Sequence, residues 1–345
     1  MAAVALELND AGLLVLREGR PRPQEIPCLV LFEGDLVLTG ARAAARAYRS
    51  PRSAHDAFFD RLDLEPLGDH HPPGLRHADL AYAQLASIAG DLAHDDEVFL
   101  AVPGSWSEER LALLLGIARA ASLHVVGLVD AAAAAASLVF GTDACLHVDL
   151  ARHRAIVSAF RGGAERQRGS VSAPEGAGSR AFEDRRVLSV AAAFVAGSRF
   201  DPLHSGPAEQ ALREALPGWL RELRRAETCE ATLTWAGREH HATLSREDLA
   251  GVTRELQRAV AEQAKALVPT GSTRVLVSAR ASGIPGLTAR LERDTGLDVV
   301  ELPYDGAVVA TLRHRDRLRH PGPSLPLVTR LPTTGGLQAV QGATG

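Results

Sequence analysis

The sequence predicts an α/β protein built twice, as two duplicated lobes of mixed β-sheet flanked by helices around a central cleft. Three observations carry this expectation. Residues 98–137 read as a strand, a helix and a parallel strand followed by an alanine helix. Two hairpins, at residues 1–19 and 145–163, each close their first strand on an acid just before a polar turn. The strand, acid and small-residue helix of LHVVGLVDAAAAAASL (123–138) return in the same order in LDVVELPYDGAVVATL (297–312).

Along the chain, VALELNDAGLLVLREG (4–19) is two apolar strands joined by Asn9, Asp10, Ala11 and Gly12, a hairpin by composition, with Glu7 at the end of its first strand. IPCLVLFEGDLVLTG (26–40) reads as another strand pair, followed by ARAAARAYRS and HDAFFDRL. The apolar run 98–102 stops at Pro103 and Gly104, and Ser105 with Glu108 three positions later forms a capping box for a helix. Apolar residues then recur at helical spacing from Leu111 to Ala120, and 123–129 is a second buried strand closed by Asp130. Parallel strands of one crossover end at the same sheet edge, where open α/β sheets hold ligands. Asp130 is therefore either a ligand-facing acid or simply the N-cap of the alanine helix.

CLHVDLARHRAIVSAFRGG (145–163) repeats the first hairpin, with Asp149 standing where Glu7 stands. Two long helical patterns follow, 207–227 and 245–267, with an alternating hairpin at 230–243 between them. A strand at 275–277 leads through Ile284 and Pro285 into a helix at 286–293, and Asp305 echoes Asp130. The expected division is lobe I at 1–141, lobe II at 142–320 with a helical insertion at 205–268, and a Pro/Gly-rich tail at 321–345. That tail is expected to lie outside both cores and to dock a partner through Leu325, Leu327, Val328 and Leu331.

The chain has 345 residues, 46% of them hydrophobic, enough for two ordinary domains or one bilobed body. Its net charge of −4 points to neither nucleic acid nor an anionic membrane surface as partner. Three widely spaced cysteines in apolar contexts form neither a disulfide framework nor a zinc spacing. No window is apolar enough to span a membrane, and no leader pattern precedes the first strand, so the expectation is a reduced, cytoplasmic protein. His240 and His241 alternate to opposite faces of a strand, and His70 with His71 has no third ligand nearby in sequence; no metal site is predicted.

Several segments together resemble the nucleotide-binding domain of DnaK-type heat-shock chaperones, in the actin/hexokinase/heat-shock ATPase superfamily, over residues 4–318. IPCLVLFEGDLVLTGARAAARA is similar to that family's IPS, strand, turn, GxxAxxQ segment. LAVPGSWSEERLALLLGIARAASLHVVGLVDAAAAAA is similar to its VTVPAxF to NEPTAAA segment. RVLVSARASGIPGLTARL resembles its xVLVGGSTRIP segment, after the helix TLSREDLAGVTRELQRAV.

The resemblance implies an actin-like ATPase fold that binds ATP or ADP with magnesium. Glu7 and Asp149 would organise the magnesium through waters, and Asp130 would stand for the family's catalytic glutamate. Asn9, Asp10 and Ala11 would form one phosphate loop, Ala151, Arg152 and His153 the other, and Ser278, Ala279 and Arg280 the adenosine loop.

Those loops depart from the family's pattern. Neither phosphate loop keeps a glycine in its core, although amides wrap a phosphate only where side chains leave room. The family's catalytic lysine falls at or beside Asp60, and the chain's only lysine, Lys265, lies in a late helix. The expectation is a catalytically impaired pseudo-ATPase lacking a peptide-binding domain, acting as a chaperone-like scaffold or regulatory partner of another protein, with ATP hydrolysis absent or weak. The alternative is an ATPase whose phosphate site has been rebuilt on Arg152 and Arg154, which could pair directly with phosphate or could equally lie in a plain solvated turn.

Overall fold

Two six-stranded mixed sheets frame the molecule in a computed structural model that describes residues 2–34, 36–68, 74–322 and 324–333. Lobe I contributes β1 (Ala3–Glu7), β2 (Leu13–Arg17) and β3 (Gln24–Ile26), then a small separate sheet of β4 (Val30–Glu33), β5 (Leu36–Thr39) and β6 (Ala54–His55), then β7 (Glu97–Val102) and β8 (Val125–Asp130). Lobe II follows with β9 (Ala144–Leu150), β10 (Ala155–Arg161), β11 (Glu165–Ser172), a two-stranded ribbon of β12 (Thr228–Trp235) and β13 (Arg238–Ser245), then β14 (Ser272–Val277) and β15 (Asp298–Glu301). Two short strands close the chain, β16 (Leu327–Val328) and β17 (Arg330–Pro332).

The first sheet runs β16-β8-β7-β1-β2-β3 and the second β15-β14-β9-β10-β11-β17. Without the two closing strands, each sheet has the same plan. An antiparallel meander of three strands is extended on its first strand by two parallel ones. The repeat in the sequence is thus a repeat of topology. Strand β1 is buried on both faces, as the unbroken apolar run AVAL requires.

Between the sheets lie helices Ala131–Ala136 and Gly306–Arg313, which pack on each other. One side of the alanine helix meets Ala3, Phe99 and Ala101, and the other meets Cys145, Phe160 and Leu276. Its six alanines let it be packed from both sides. Gly306–Arg313 in turn covers Ala5, Leu14 and Leu16 of the first sheet.

Several expectations need correction. The helix after β7 begins at Glu108 with Ser107, not Ser105, as its cap, because a tight turn from Pro103 buries Trp106 against Phe59 first. The pattern 245–267 is two helices, Arg246–Gly251 and Arg254–Ala266, broken at Val252 and Thr253. The longest helix, Ser179–Ser198, was not foreseen, nor was β11, whose polar sequence carries no period-two signal. Asp305 precedes its helix without a side-chain capping bond, unlike Asp130.

The largest correction concerns the tail. Leu327 and Val328 pair in parallel with Leu128 and Val129 of the first sheet, while residues 330–332 pair antiparallel with β11 of the second. Leu331 is fully buried beside Phe99 and Val129. An open sheet edge offers a row of unpaired amides and carbonyls, and the apolar strap finds two such edges within its own chain. Residues 334–345 lie outside the described residues, as do His70 and His71. Among the described residues no helix is long and apolar enough to cross a membrane, and all three cysteines are buried and free.

Candidate functional site

The turns of the two acid-bearing hairpins meet face to face between the lobes. In the β1–β2 turn, Asn9 Oδ1 accepts from Ala11 N at 2.9 Å and its own carbonyl accepts from Gly12 N, so the asparagine shapes the loop locally. Its Nδ2 crosses the cleft to Asp149 Oδ2 at 2.8 Å. In the β9–β10 turn, Ala151 N donates to Arg154 O, and the start of helix Ser179–Ser198 lies on this turn through Ser179 N to Ala151 O and Arg180 N to Arg152 O. Gly178 permits that approach, since a β-carbon there would come within 2.4 Å of the turn's backbone.

Arginines occupy the space between the turns. Arg280 extends from the short helix Ala279–Ser282, which Ser278 Oγ caps by accepting from Ala281 N. Its Nη1 donates to Glu7 Oε1 at 2.8 Å, its Nη2 donates to Gly12 O at 2.9 Å, and Asp149 Oδ2 lies 3.8 Å away. The cavity left among Glu7, Asp149, Ala279 and Arg280 is about 20 Å³. That is room for little more than one water.

A second cluster surrounds Arg152, whose amide donates to buried Asp10 and whose guanidinium reaches Asp56 at 3.1 Å and Glu183 at 2.7 Å. Asp56 also takes Arg180 at 2.6 Å, with His153 Nε2 3.4 Å away. Arg154 binds Asp60 at 2.5 Å and Glu175 at 2.7 Å. This wall of charge separates a cavity of about 370 Å³, bordered by Asp10, Asp60, Trp106, Arg110 and Arg154, from one of about 230 Å³ bordered by Cys28, Tyr48, Asp56, Arg152 and Arg180.

Burial pushes the Glu7 carboxyl up, with Arg280 opposing and Asp149 reinforcing the rise, while Arg280 itself is held more firmly charged by its two carboxylates despite its own burial. Burial likewise raises Asp10 to about 6, against the amide of Arg152. For Asp56 burial acts in the same sense, but His153, Arg180 and Arg152 overcome it and hold the carboxyl well below its ordinary value. Burial would lower His153, but its bond and charge interaction with Asp56 win and raise it above 6.5.

A raised histidine stabilises the fold while it is protonated in both states and stops doing so once pH passes its folded value. The stability lost in a His153→Gln variant is therefore expected to be fully present below pH 6.5 and to vanish as pH rises through the raised value. Paired denaturation curves between pH 5.5 and 8.5 check this, and a difference that grows with pH would contradict it. Asp10 acts in the same direction at lower pH, since its ionisation disfavours the fold between its ordinary 3.8 and about 6.

Of the residues singled out in the sequence, the fold brings Glu7, Asn9, Asp149, Ser278, Ala279 and Arg280 to one point, and Asp10, Ala11, Ala151, Arg152 and His153 to an adjoining one. Asp130 is elsewhere. Its Oδ1 caps the alanine helix by accepting from Ala132 N and Ala133 N, and its Oδ2 pairs with Arg168 Nε at 2.9 Å, so the plain capping reading holds. Sequence reasoning missed Asp56, Glu183, Arg180 and Arg168, which reach the network from distant segments without a motif. Arg152 and Arg154 were read only as phosphate ligands or as part of a solvated turn, so nothing in the sequence pointed to the acids they meet. His240 stacks on Phe200 while His241 bonds Thr232 across the ribbon, so the two rings serve different neighbours. No known protein-family model matches the chain, and no curated protein matches it.

Proposed function

We propose that this chain is a nucleotide-independent relative of the actin/hexokinase/heat-shock ATPase superfamily, resembling the nucleotide-binding domain of DnaK-type chaperones, and that it serves in the cytoplasm as a scaffold or regulatory partner of another protein. The repeated sheet plan and the two facing hairpins support the kinship. The single observation that carries the loss of nucleotide is the position of Arg280, wedged between the two carboxylates that would have to organise magnesium.

The residues present do not fit a magnesium nucleotide. Small-molecule sites usually offer roughly 300 Å³ or more, against about 20 Å³ between Glu7 and Asp149, and the larger adjoining cavity is bordered by the carboxylates of Asp10 and Asp60, which repel phosphate. Both loops present side chains where phosphate wrapping needs bare backbone, and the position expected for the lysine holds Asp60, already committed to Arg154. The arginines act instead as fixed cross-links. Arg280 ties lobe II to Glu7 and Gly12, Arg152 and Arg154 tie it to Asp56 and Asp60, and Gln210 ties the insertion to Ala44 and Tyr48. A cleft closed in this way presents one constant outer surface to a partner without a nucleotide cycle.

Calorimetric titration with Mg-ATP and Mg-ADP is expected to show no saturable binding at the hairpins, and turnover is expected to equal the blank. Stoichiometric binding, or hydrolysis that disappears in an Asp149→Ala variant, would refute the proposal in favour of an ATPase rebuilt on arginines.

A further inference from the structure

Remote from the hairpins, in the helical insertion, lies a cavity of different chemistry. Arg186, on helix Ser179–Ser198, is only 5% exposed, and among the described residues its Nε and Nη2 have no hydrogen-bond partner and no carboxylate pairs with it. It lines a cavity of about 230 Å³ together with Arg224 and Arg246, and the remaining wall is apolar, including Leu223, Leu249 and Pro285. Among the described residues, no acidic residue borders the space.

The three arginines are not equivalent. Arg246 is held by the helix-end carbonyls of Leu223 and Ala226 through its Nε, so its charge is anchored at the rim. Arg224 is exposed and without a carboxylate partner among the described residues. Burial together with the charge of Arg224 pushes Arg186 down to about 10, which still leaves it protonated at neutral pH. A buried guanidinium without a counter-charge opposes folding, and a methionine of similar length would fill the place without that penalty. Such a local violation is characteristic of a site that answers to a ligand.

We propose that this pocket binds a small amphipathic organic anion, with its carboxylate or phosphate head on Arg186, Arg224 at the mouth, and a short apolar chain against Leu223, Leu249 and Pro285. A cavity of about 230 Å³ is many times what a single water needs and has room for a six-carbon acid. The proposal does not depend on the state of the cleft between the lobes. A ligand bound at the hairpins would survive replacement of Arg186, whereas one bound here would not.

The test uses the full chain with hexanoate and hexyl phosphate as probes, and hexanol, inorganic phosphate and adenosine monophosphate as comparators. Hexanoate, hexyl phosphate or both are expected to bind saturably by calorimetry and to raise the melting temperature with concentration. Which of the two binds more tightly identifies the head group. Hexanol and inorganic phosphate are expected to bind at least tenfold more weakly than the better probe. An Arg186→Met variant is expected to melt higher than the parent when ligand-free, and to bind the better probe at least tenfold more weakly. Should that variant fail to fold, Arg224→Gln, which alters an exposed side chain, is expected to weaken binding several-fold. Absence of saturable binding by both probes, equal binding of hexanol, full affinity retained in the variants, or tighter binding of adenosine monophosphate in competition would each overturn the proposal.

Discussion

Replacing Arg280 with methionine is expected to destabilise the protein by about 3–5 kcal/mol, the usual consequence of removing one partner from a buried ion pair. Glu7 is almost wholly buried, and its Oε1 has the Arg280 guanidinium as its charged partner at 2.8 Å. Without that cation the carboxyl must either remain charged in a low-dielectric site or take up a proton, and Asp149 beside it makes the charged state worse. Gly12 O would also lose its donor. Arg280→Lys should recover only part of the loss, because a single ammonium cannot span Glu7 and Gly12 O as the planar fork does. Glu7→Gln combined with Arg280→Met should be less unstable than Arg280→Met alone, since the orphaned charge is gone. Urea denaturation with an unchanged m-value would measure each difference. A loss below about 1 kcal/mol for the single variant would mean that Arg280 is not the clamp described here.

Ending the chain at residue 324 is expected to lower the urea midpoint markedly, because it removes an edge strand from each sheet and uncovers the contact of Leu331 with Phe99 and Val129. A fully buried leucine alone contributes on the order of 2–5 kcal/mol relative to alanine, so Leu331→Ala should reproduce a substantial share of the truncation. The strap also accepts from Arg168 N through Thr329 O at 2.9 Å, and it pairs Arg330 with Glu165. If ending at 324 leaves the midpoint unmoved, the strap is an accessory and the sequence expectation of a detached tail was right after all.

Much of the architecture was legible without coordinates. The two hairpins, the strand pairs at 98–102 with 125–130 and 272–277 with 298–301, and the ribbon at 228–245 all carry apolar alternation or short apolar runs bounded by turn residues, which are local signals. The repeat was readable because each half uses the same order of such signals. Glu7, Asn9, Asp149 and Arg280 could be picked out as neighbours only because the family resemblance supplied a common frame for distant segments.

What sequence could not decide was the fate of charges and edges. Arg152 in a polar turn reads equally as a solvated residue or a phosphate ligand, and the structure makes it an ion-pair partner instead. The acids that settle it, Asp56 and Glu183, lie 96 and 31 positions away. Asp130 could face a ligand or cap a helix, and only the placement of Arg168 and the alanine amides committed it to the helix. A run such as LPLVTRL looks like a linker by composition, because its stability comes from backbone hydrogen bonds to sheet edges that exist only once both sheets have formed. The sequence by itself therefore determined the hairpins, the crossover strands and their twofold repetition, since local periodicity encodes them, but not Ser179–Ser198, β11 or the closing strands. The tertiary structure alone decided that Arg280 stands between Glu7 and Asp149 and that residues 327–332 join an edge of each sheet, because both depend on groups far apart in the chain meeting.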